Sequence, residues 1–389
     1  MLRKELSMPK IVKAAVMIGP GKIEIRHYPY PEIGPGAALV KIELAGICGT
    51  DKHMYKGETK HPAGQETAFP IIPGHENVGT IEELGPNATG LEVEEKKLHV
   101  GDRVVPICDV QCGQCYVCRT SFGFSTSCER DLGYGTTLTC KDPPHLFGGW
   151  AEYMYILPRA LLAKVPDGVS PDAAVMTEIL TVAYCGFQKA ASPYPLGKEG
   201  FGPGDTVVVL GAGPLGICHG IMARMAGSEK VIVVGAPEAR LQLAKQLCAD
   251  YTVDIDRTND PSQRVREVLA LTENRGADLV AECAGVPDAV AQGLDMLRVG
   301  GTLLIAGNYI DMGTVNINPQ RQILSRQARI IGVNGQTASS YSASLRLIRR
   351  FSRDIPIEKM VTHRFKIEDA KQALETGISL QAMEVAIAP

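Results

Sequence analysis

Four cysteines, Cys112, Cys115, Cys118 and Cys128, read C-x2-C-x2-C-x9-C. Three thiolates in one tight loop and a fourth that closes the set match a tetrahedral four-cysteine zinc site. With no open position such a site is structural: it fixes a lobe that has little core of its own. The same thiols left bare on a surface would be open to oxidation. Cys108 falls just outside the spacing and reads as a buried strand residue. Cys140, Cys185, Cys218, Cys248 and Cys283 are scattered and read as core.

Three other segments hold metal-competent residues: Gly46 to His53, Pro73 to Glu76 and Met176 to Thr181. An isolated Cys or His is more often structural, so none is compelling alone. Together Cys48, His75 and Glu178 would offer one sulfur, one nitrogen and one oxygen, leaving a fourth position for water or substrate. That open position separates a catalytic zinc from a structural one. The other reading of Glu178 is an acid beside the metal that never touches it. Zinc lowers the pKa of bound water from about 15.7 to about 7.

Dinucleotide binding is suggested by Gly211-Ala212-Gly213-Pro214-Leu215-Gly216, a G-x-G-x-x-G pattern between an apolar run and an amphipathic stretch. Glycines there permit a tight turn and close approach of a pyrophosphate, and a helix N-terminus behind them offers free N–H groups. Gly235 stands where an acidic residue usually holds the ribose hydroxyls. Its absence removes the main reason to prefer NAD over NADP. Arg240 could approach a 2′-phosphate, or could pack over the adenine or on the helix surface.

These residues need two kinds of scaffold. The 389 residues suggest two domains. The first half has short β-like runs at Val12 to Val16, Lys22 to Arg26, Ala38 to Ala45, Gly79 to Leu84, Asp102 to Ile107 and Ala151 to Ile156, punctuated by Gly and Pro. Such runs suggest a partly open barrel. From Asp205 apolar runs alternate with amphipathic ones: strands at Thr206 to Leu210, Lys230 to Val234, Asp278 to Ala281 and Thr302 to Ala306, helices at Pro214 to Met225, Glu238 to Leu247 and Asp288 to Arg298. That alternation means βαβ units and a parallel sheet. Helices at Ser342 to Phe351 and Ile367 to Glu375, with a strand at Ala382 to Ile387, form a tail expected to return to the first domain. The expected division is 1–178, 179–335 and 336–389.

Hydrophobic residues are 45% and charged residues 21%, and 40 basic against 43 acidic side chains leave a net charge of -3. That mix excludes disorder and coiled coil, and offers no basic excess for nucleic acid. No run reaches the length of a membrane span, the charged start is no signal peptide, and the cysteines are too sparse for a disulfide scaffold. A cytoplasmic location is expected, with no nucleic-acid or membrane partner.

The sequence resembles the zinc-containing alcohol dehydrogenases of the medium-chain dehydrogenase/reductase family. The residues are Cys48-Gly49-Thr50-Asp51, Gly74-His75-Glu76, the four-cysteine lobe and the Gly211–Gly216 loop, in an order that runs through most of the chain. The resemblance implies an α/β protein: a GroES-like, partly open β-barrel catalytic domain, a Rossmann doubly wound parallel-sheet coenzyme domain, and a site in the cleft between them. It implies that Cys48 and His75 hold zinc, with Glu178 as third ligand and Glu76 beside the metal, able to enter or leave its shell. Asp51 would orient His75, Thr50 would bond the substrate hydroxyl, and His53 would pass the proton to water. It further implies two zinc ions per chain, NAD or NADP, a small alcohol or carbonyl substrate (Glu178 in place of Cys tilting toward a secondary alcohol or polyol), and a homodimer or homotetramer. The x9 spacing before Cys128 exceeds the family's usual x7. A zinc-independent quinone or enone reductase, or a non-catalytic nucleotide-binding protein, would use the same fold but needs neither the cysteine lobe nor Cys48 and His75.

Overall fold

The structure is a computed structural model that describes residues 10–58, 66–120, 127–130, 132–191 and 200–389. The expectations for the charged start, and for the extra length between Cys118 and Cys128, lie wholly or largely outside the described residues.

The first part is mostly short strands with brief helices. β1 (Ile11–Gly19) and β2 (Lys22–Pro29) form an antiparallel hairpin. Then come β3 (Ala38–Gly46), α1 (Gly49–Lys56), β4 (Asn77–Leu84), β5 (Arg103–Pro106), β6 (Asp109–Val110), α2 (Tyr116–Thr120), β7 (Leu132–Gly133), β8 (Tyr153–Ile156) and β9 (Leu162–Lys164). Helices α3 (Pro171–Ala174) and α4 (Thr177–Ala190) lead into the second part. There β10 (Thr206–Leu210), α5 (Pro214–Met225), β11 (Lys230–Gly235), α6 (Glu238–Leu247), β12 (Tyr251–Asp254), α7 (Pro261–Leu271), β13 (Ala277–Glu282), α8 (Pro287–Met296), β14 (Leu297–Ile305) and β15 (Arg329–Gly332) alternate. The tail is α9 (Ala338–Phe351), β16 (Val361–Phe365), α10 (Ala370–Ile378) and β17 (Glu384–Ile387).

The second part is a six-stranded sheet in the order β12-β11-β10-β13-β14-β15, parallel throughout. Every residue of β10 is buried. That is why Thr206 to Leu210 reads as a continuous apolar run: helices cover both faces of a parallel sheet. The order reverses beside β10, so a crevice opens at the C-terminal ends of the strands, where such sheets take ligands.

The first part is a seven-stranded mixed sheet, β16-β17-β3-β4-β5-β9 with β8 also on β3. The tail closes on it, with Ala386 of β17 opposite Gly46 of β3. One core knits the parts together: Leu44, Val78 and Val105 share it with Ile179, Leu180, Val207 and Ile217. Helix α4 was not expected from the sequence. Its residues are buried on nearly every side, so no polar face marks a 3.6-residue stripe.

Trp150 is the largest fully buried side chain, and it stands behind the metal-competent segments. Its indole N–H points at the Gly46 carbonyl at 3.5 Å. A Cβ at Gly74, which has a φ of 91°, would lie 2.5 Å from the Trp150 ring. Trp150→Ala is expected to cost about 3–5 kcal/mol in denaturant unfolding. A loss below about 1 kcal/mol would mean the ring does not support this layer.

Candidate metal and coenzyme site

The chain leaves β3 at Gly46 and turns through Cys48 into α1. Cys48 is the N-cap, and the cap is reciprocal: the Cys48 thiol takes the Asp51 backbone N–H, and Asp51 Oδ2 takes the Cys48 N–H at 2.9 Å. Asp51 Oδ1 also accepts from the Gly74 N–H at 3.4 Å. This fully buried carboxylate therefore ties the backbone at Cys48 to the backbone just before His75. Its hydrogen bonds go to those two amides and none goes to the imidazole, so whatever orientation it gives His75 comes through the main chain.

Cys48, His75 and Glu76 come together, with one ligand atom from each within 4.8 Å of the others. Glu76, expected beside the metal, is within ligand reach, and Glu178, expected as third ligand, lines the same cavity and accepts a hydrogen bond from the Gln336 amide. Two buried atoms of the triplet, His75 Nδ1 and Glu76 Oε1, have no hydrogen-bond partner. Buried polar atoms are rarely left so. A sulfur, a nitrogen and an oxygen donor with orphaned atoms fit a zinc ion with one position left open.

Without a cation these groups resist charge. Burial, then the nearby Glu178 and Asp51 carboxylates, push the Cys48 thiol up to about 12. Burial likewise lifts Glu76 well above the usual carboxylate range and lifts Glu178. For His75 burial works against charge, but Asp51, Glu178 and Glu76 outweigh it and raise the imidazole. Three further residues belong to the cavity. Glu384 of β17 accepts from the Ile47 N–H at 3.2 Å and is held up to about 7 by burial. Tyr309 hydrogen-bonds Thr50, and Gln336 holds Glu178. Only Glu384 left a trace in the sequence, as a lone acid inside the apolar run Ala382 to Ile387.

Thr50 lies 3.8 Å from the Cys48 sulfur, and His53, about one-third exposed, bonds the Glu58 carboxylate through Nδ1. Both line the cavity.

The four cysteines also converge, one sulfur from each within 4.8 Å of the rest. Backbone N–H groups aim at the sulfurs: Gln114 and Cys115 at Cys112 (3.4 and 3.3 Å), Cys118 at Cys115 (3.4 Å) and Cys112 at Cys128 (3.4 Å). The first pair draws Cys112 down to about 6, whereas burial pushes Cys128 up to about 12. Four sulfurs with amide donors fit a closed tetrahedral zinc site.

In the glycine loop each glycine has its own reason. Gly211 takes a φ of 111°. A Cβ on Gly216 would lie 1.9 Å from the Gly211 carbonyl, while one on Gly213 would meet only Arg240, at 3.9 Å, leaving the approach open. Pro214 begins α5, with Gly213 as its N-cap. Gly235 has a steric cause: a Cβ there would lie 2.6 Å from the Ala212 nitrogen. Glycine at 235 therefore reports loop packing as well as coenzyme choice. Arg240 Nε and Nη2 both donate to the Ala382 carbonyl at 3.2 and 2.7 Å, while Nη1 faces the loop at Gly213. The nearby edge holds Arg257, paired with Glu238 at 3.5 Å and Asp254 at 3.3 Å.

A cavity of about 380 Å³ is lined by Cys48, His75, Glu76 and Glu178 on one side and by Gly213 and Leu215 on the other. Among the described residues no helix is long and apolar enough to cross a membrane. Packing predicts one sensitive position. A Cβ on Gly46 would fall 2.3 Å from Glu76 Oε2. Gly46→Ala is expected to displace that carboxylate and weaken zinc retention by about tenfold or more in chelator competition; unchanged retention would remove Glu76 from the set.

The pattern described as "Alcohol dehydrogenase GroES-like domain" matches residues 34–167, and "Zinc-binding dehydrogenase" matches residues 214–350. The chain is 34% identical over 377 residues to the "Probable alcohol dehydrogenase adh" of Mycobacterium tuberculosis, covering 94% of each. It is 30% identical to D-arabinitol dehydrogenase 1 of Uromyces fabae, covering 98% of this chain and 99% of the relative. A solved candidate zinc-binding dehydrogenase of Sinorhizobium meliloti, bound to NADP, superposes with a TM-score of 0.81 at 27% identity, over 98% of this chain and 100% of the other. The architecture, the two cysteine-containing sites and the glycine loop therefore place this chain among the zinc-containing alcohol dehydrogenases of the medium-chain dehydrogenase/reductase family.

Proposed function

We propose that the protein transfers hydride between an alcohol, a secondary alcohol or polyol by preference, and NAD or NADP, giving the ketone or aldehyde. The observation behind this reading is one shared space: the Cys48–His75–Glu76 triplet opens into the same cavity as the Gly211–Gly216 loop. Zinc held by that triplet supplies a Lewis acid that makes a substrate hydroxyl easier to deprotonate. Gly213 and the N-terminus of α5 would hold the pyrophosphate of a nicotinamide coenzyme, which would supply the hydride acceptor.

The chain's own residues do the rest. Thr50, beside the Cys48 sulfur, receives the hydroxyl proton as it releases its own toward His53, and Tyr309 fixes the Thr50 hydroxyl. His53 stands between the cavity and solvent with Glu58 on Nδ1, so it can pass that proton outward. Glu178, braced by Gln336, stays out of the ligand set and shapes the wall. Cys112, Cys115, Cys118 and Cys128 would hold a second zinc. Coenzyme choice falls to the Glu238–Arg257 pair beside Gly235, because Arg240 is engaged by Ala382.

A homo-oligomer is part of the same proposal. β15 ends its sheet, so one edge of its backbone is open, and Ile330 (42%), Leu324 (72%) and Val299 (59%) are exposed around it. Such an edge is a ready template for a second copy. Light scattering is expected to give a dimer or tetramer mass and Ile330→Lys a smaller one; a monomeric parent protein would end this part of the reading.

Cys48→Ala is expected to abolish turnover of every alcohol in a panel assayed with both coenzymes, while coenzyme still binds. Metal analysis should fall from about two zinc ions per chain to about one. Full activity in the variant would refute the catalytic assignment. The raised thiol and carboxylates set the pH dependence. Zinc must displace protons from Cys48 and Glu76, so affinity at this site should climb as pH rises and proton release should accompany binding. Calorimetry in buffers of different ionisation enthalpy reads that release, and a pH-independent affinity would contradict it.

A further inference from the structure

We propose that Asp109 is the specificity-determining residue of the cavity, accepting a hydrogen bond from a second donor group on the alcohol, a hydroxyl or an ammonium, and turning away carboxylate-bearing substrates. This inference rests on the dehydrogenase reading and goes on to name which alcohols fit.

Asp109 opens β6, immediately before the four-cysteine lobe, and lines the cavity with Cys108, Thr136 and Thr137. Its one hydrogen-bond partner among the described residues is the Cys108 thiol, 3.3 Å from Oδ2. A thiol is a weak donor. Among the described residues no lysine, arginine or histidine forms an ion pair with Asp109, although surface acids such as Asp172 and Glu94 have one. Asp109 thus presents a carboxylate with spare acceptor capacity to a partly desolvated space.

Its neighbour Cys108 is itself held in place. Cys108 is buried, and the Tyr341 hydroxyl of α9 donates to its sulfur at 3.4 Å. Asp109 also acts electrostatically on Tyr309, His75 and Glu178, so it stands close to the metal-competent triplet. Lys52, which also lines the cavity, acts electrostatically on Glu384 and Asp51. An alcohol at the open position beside Cys48, His75 and Glu76 therefore shares its cavity with an acid that no lysine or arginine of the described residues holds in an ion pair. A hydroxyl or ammonium there gains a charge-assisted hydrogen bond, and a carboxylate meets repulsion.

The test uses one four-carbon skeleton: butan-2-ol, butane-1,3-diol, 4-aminobutan-2-ol and 3-hydroxybutanoate, each assayed with the zinc-replete protein and its better coenzyme. Wild-type kcat/KM should be highest for the amino alcohol and the diol, lower for butan-2-ol and lowest for 3-hydroxybutanoate. Asp109→Asn should narrow the span between the amino alcohol and the hydroxy acid by about tenfold or more, with butan-2-ol changed by less than about threefold. Asp109→Glu should keep the order, and Asp109→Ser reads the same span if the Asn variant does not fold. An unchanged span in the neutral variants, or a wild type that favours 3-hydroxybutanoate, overturns the proposal. Butan-2-ol turnover without this ordering sinks the Asp109 assignment alone, whereas no turnover of any of the four sinks the dehydrogenase reading beneath it.

Discussion

The site depends on one buried carboxylate. Asp51 accepts from the amides of Cys48 and Gly74, two segments separated by more than twenty residues. Burying a charge in this way is costly unless it is hydrogen-bonded, and both of its oxygens are. The bond to Cys48 caps α1, and the bond to Gly74 sets the start of the turn that delivers His75 and Glu76. Remove that brace and the sulfur, nitrogen and oxygen donors belong to separate loops. Trp150 fills the space behind the same turn, so apolar packing and the carboxylate act on one stretch of backbone.

The second requirement is that the donors face the coenzyme loop. Helix α4 runs from Glu178 at the cavity wall into the core beside α5. Its burial leaves little freedom between the parts, since Ile179 and Leu180 share a core with Ile217 of α5 and Leu44 of β3. Arg240 adds a polar link, from α6 to the Ala382 carbonyl just before β17. The cleft is therefore walled by fixed pieces, and the reacting atoms can be held close, where proximity contributes most to rate.

Much of this was legible in the sequence because it is local. The glycine loop, the four-cysteine spacing and the apolar run of β10 each declare themselves within a dozen residues. The ends of α5 and α6 match the Pro214 to Met225 and Glu238 to Leu247 expected from periodicity. What was missed is either buried all round or assembled at long range. α4 has no polar face to give it away. The hold on Glu178 comes from Gln336, more than 150 residues away. Gly235 looked like a statement about ribose, yet a Cβ there would strike Ala212 of a different turn. Arg240 looked free to seek phosphate, and its partner is a carbonyl 142 residues away. Contacts of that kind have no spacing to read.

The tail strand has a further meaning for how the molecule comes into being. β17 lies between β16 and β3, inside the sheet that carries Cys48, and its Glu384 holds the Ile47 amide beside that cysteine. During synthesis the segment bearing the metal donors precedes β17 by more than 330 residues. The end of β3 at Ala45 and Gly46 therefore gains its β17 neighbour only after the strands of the parallel sheet have been made.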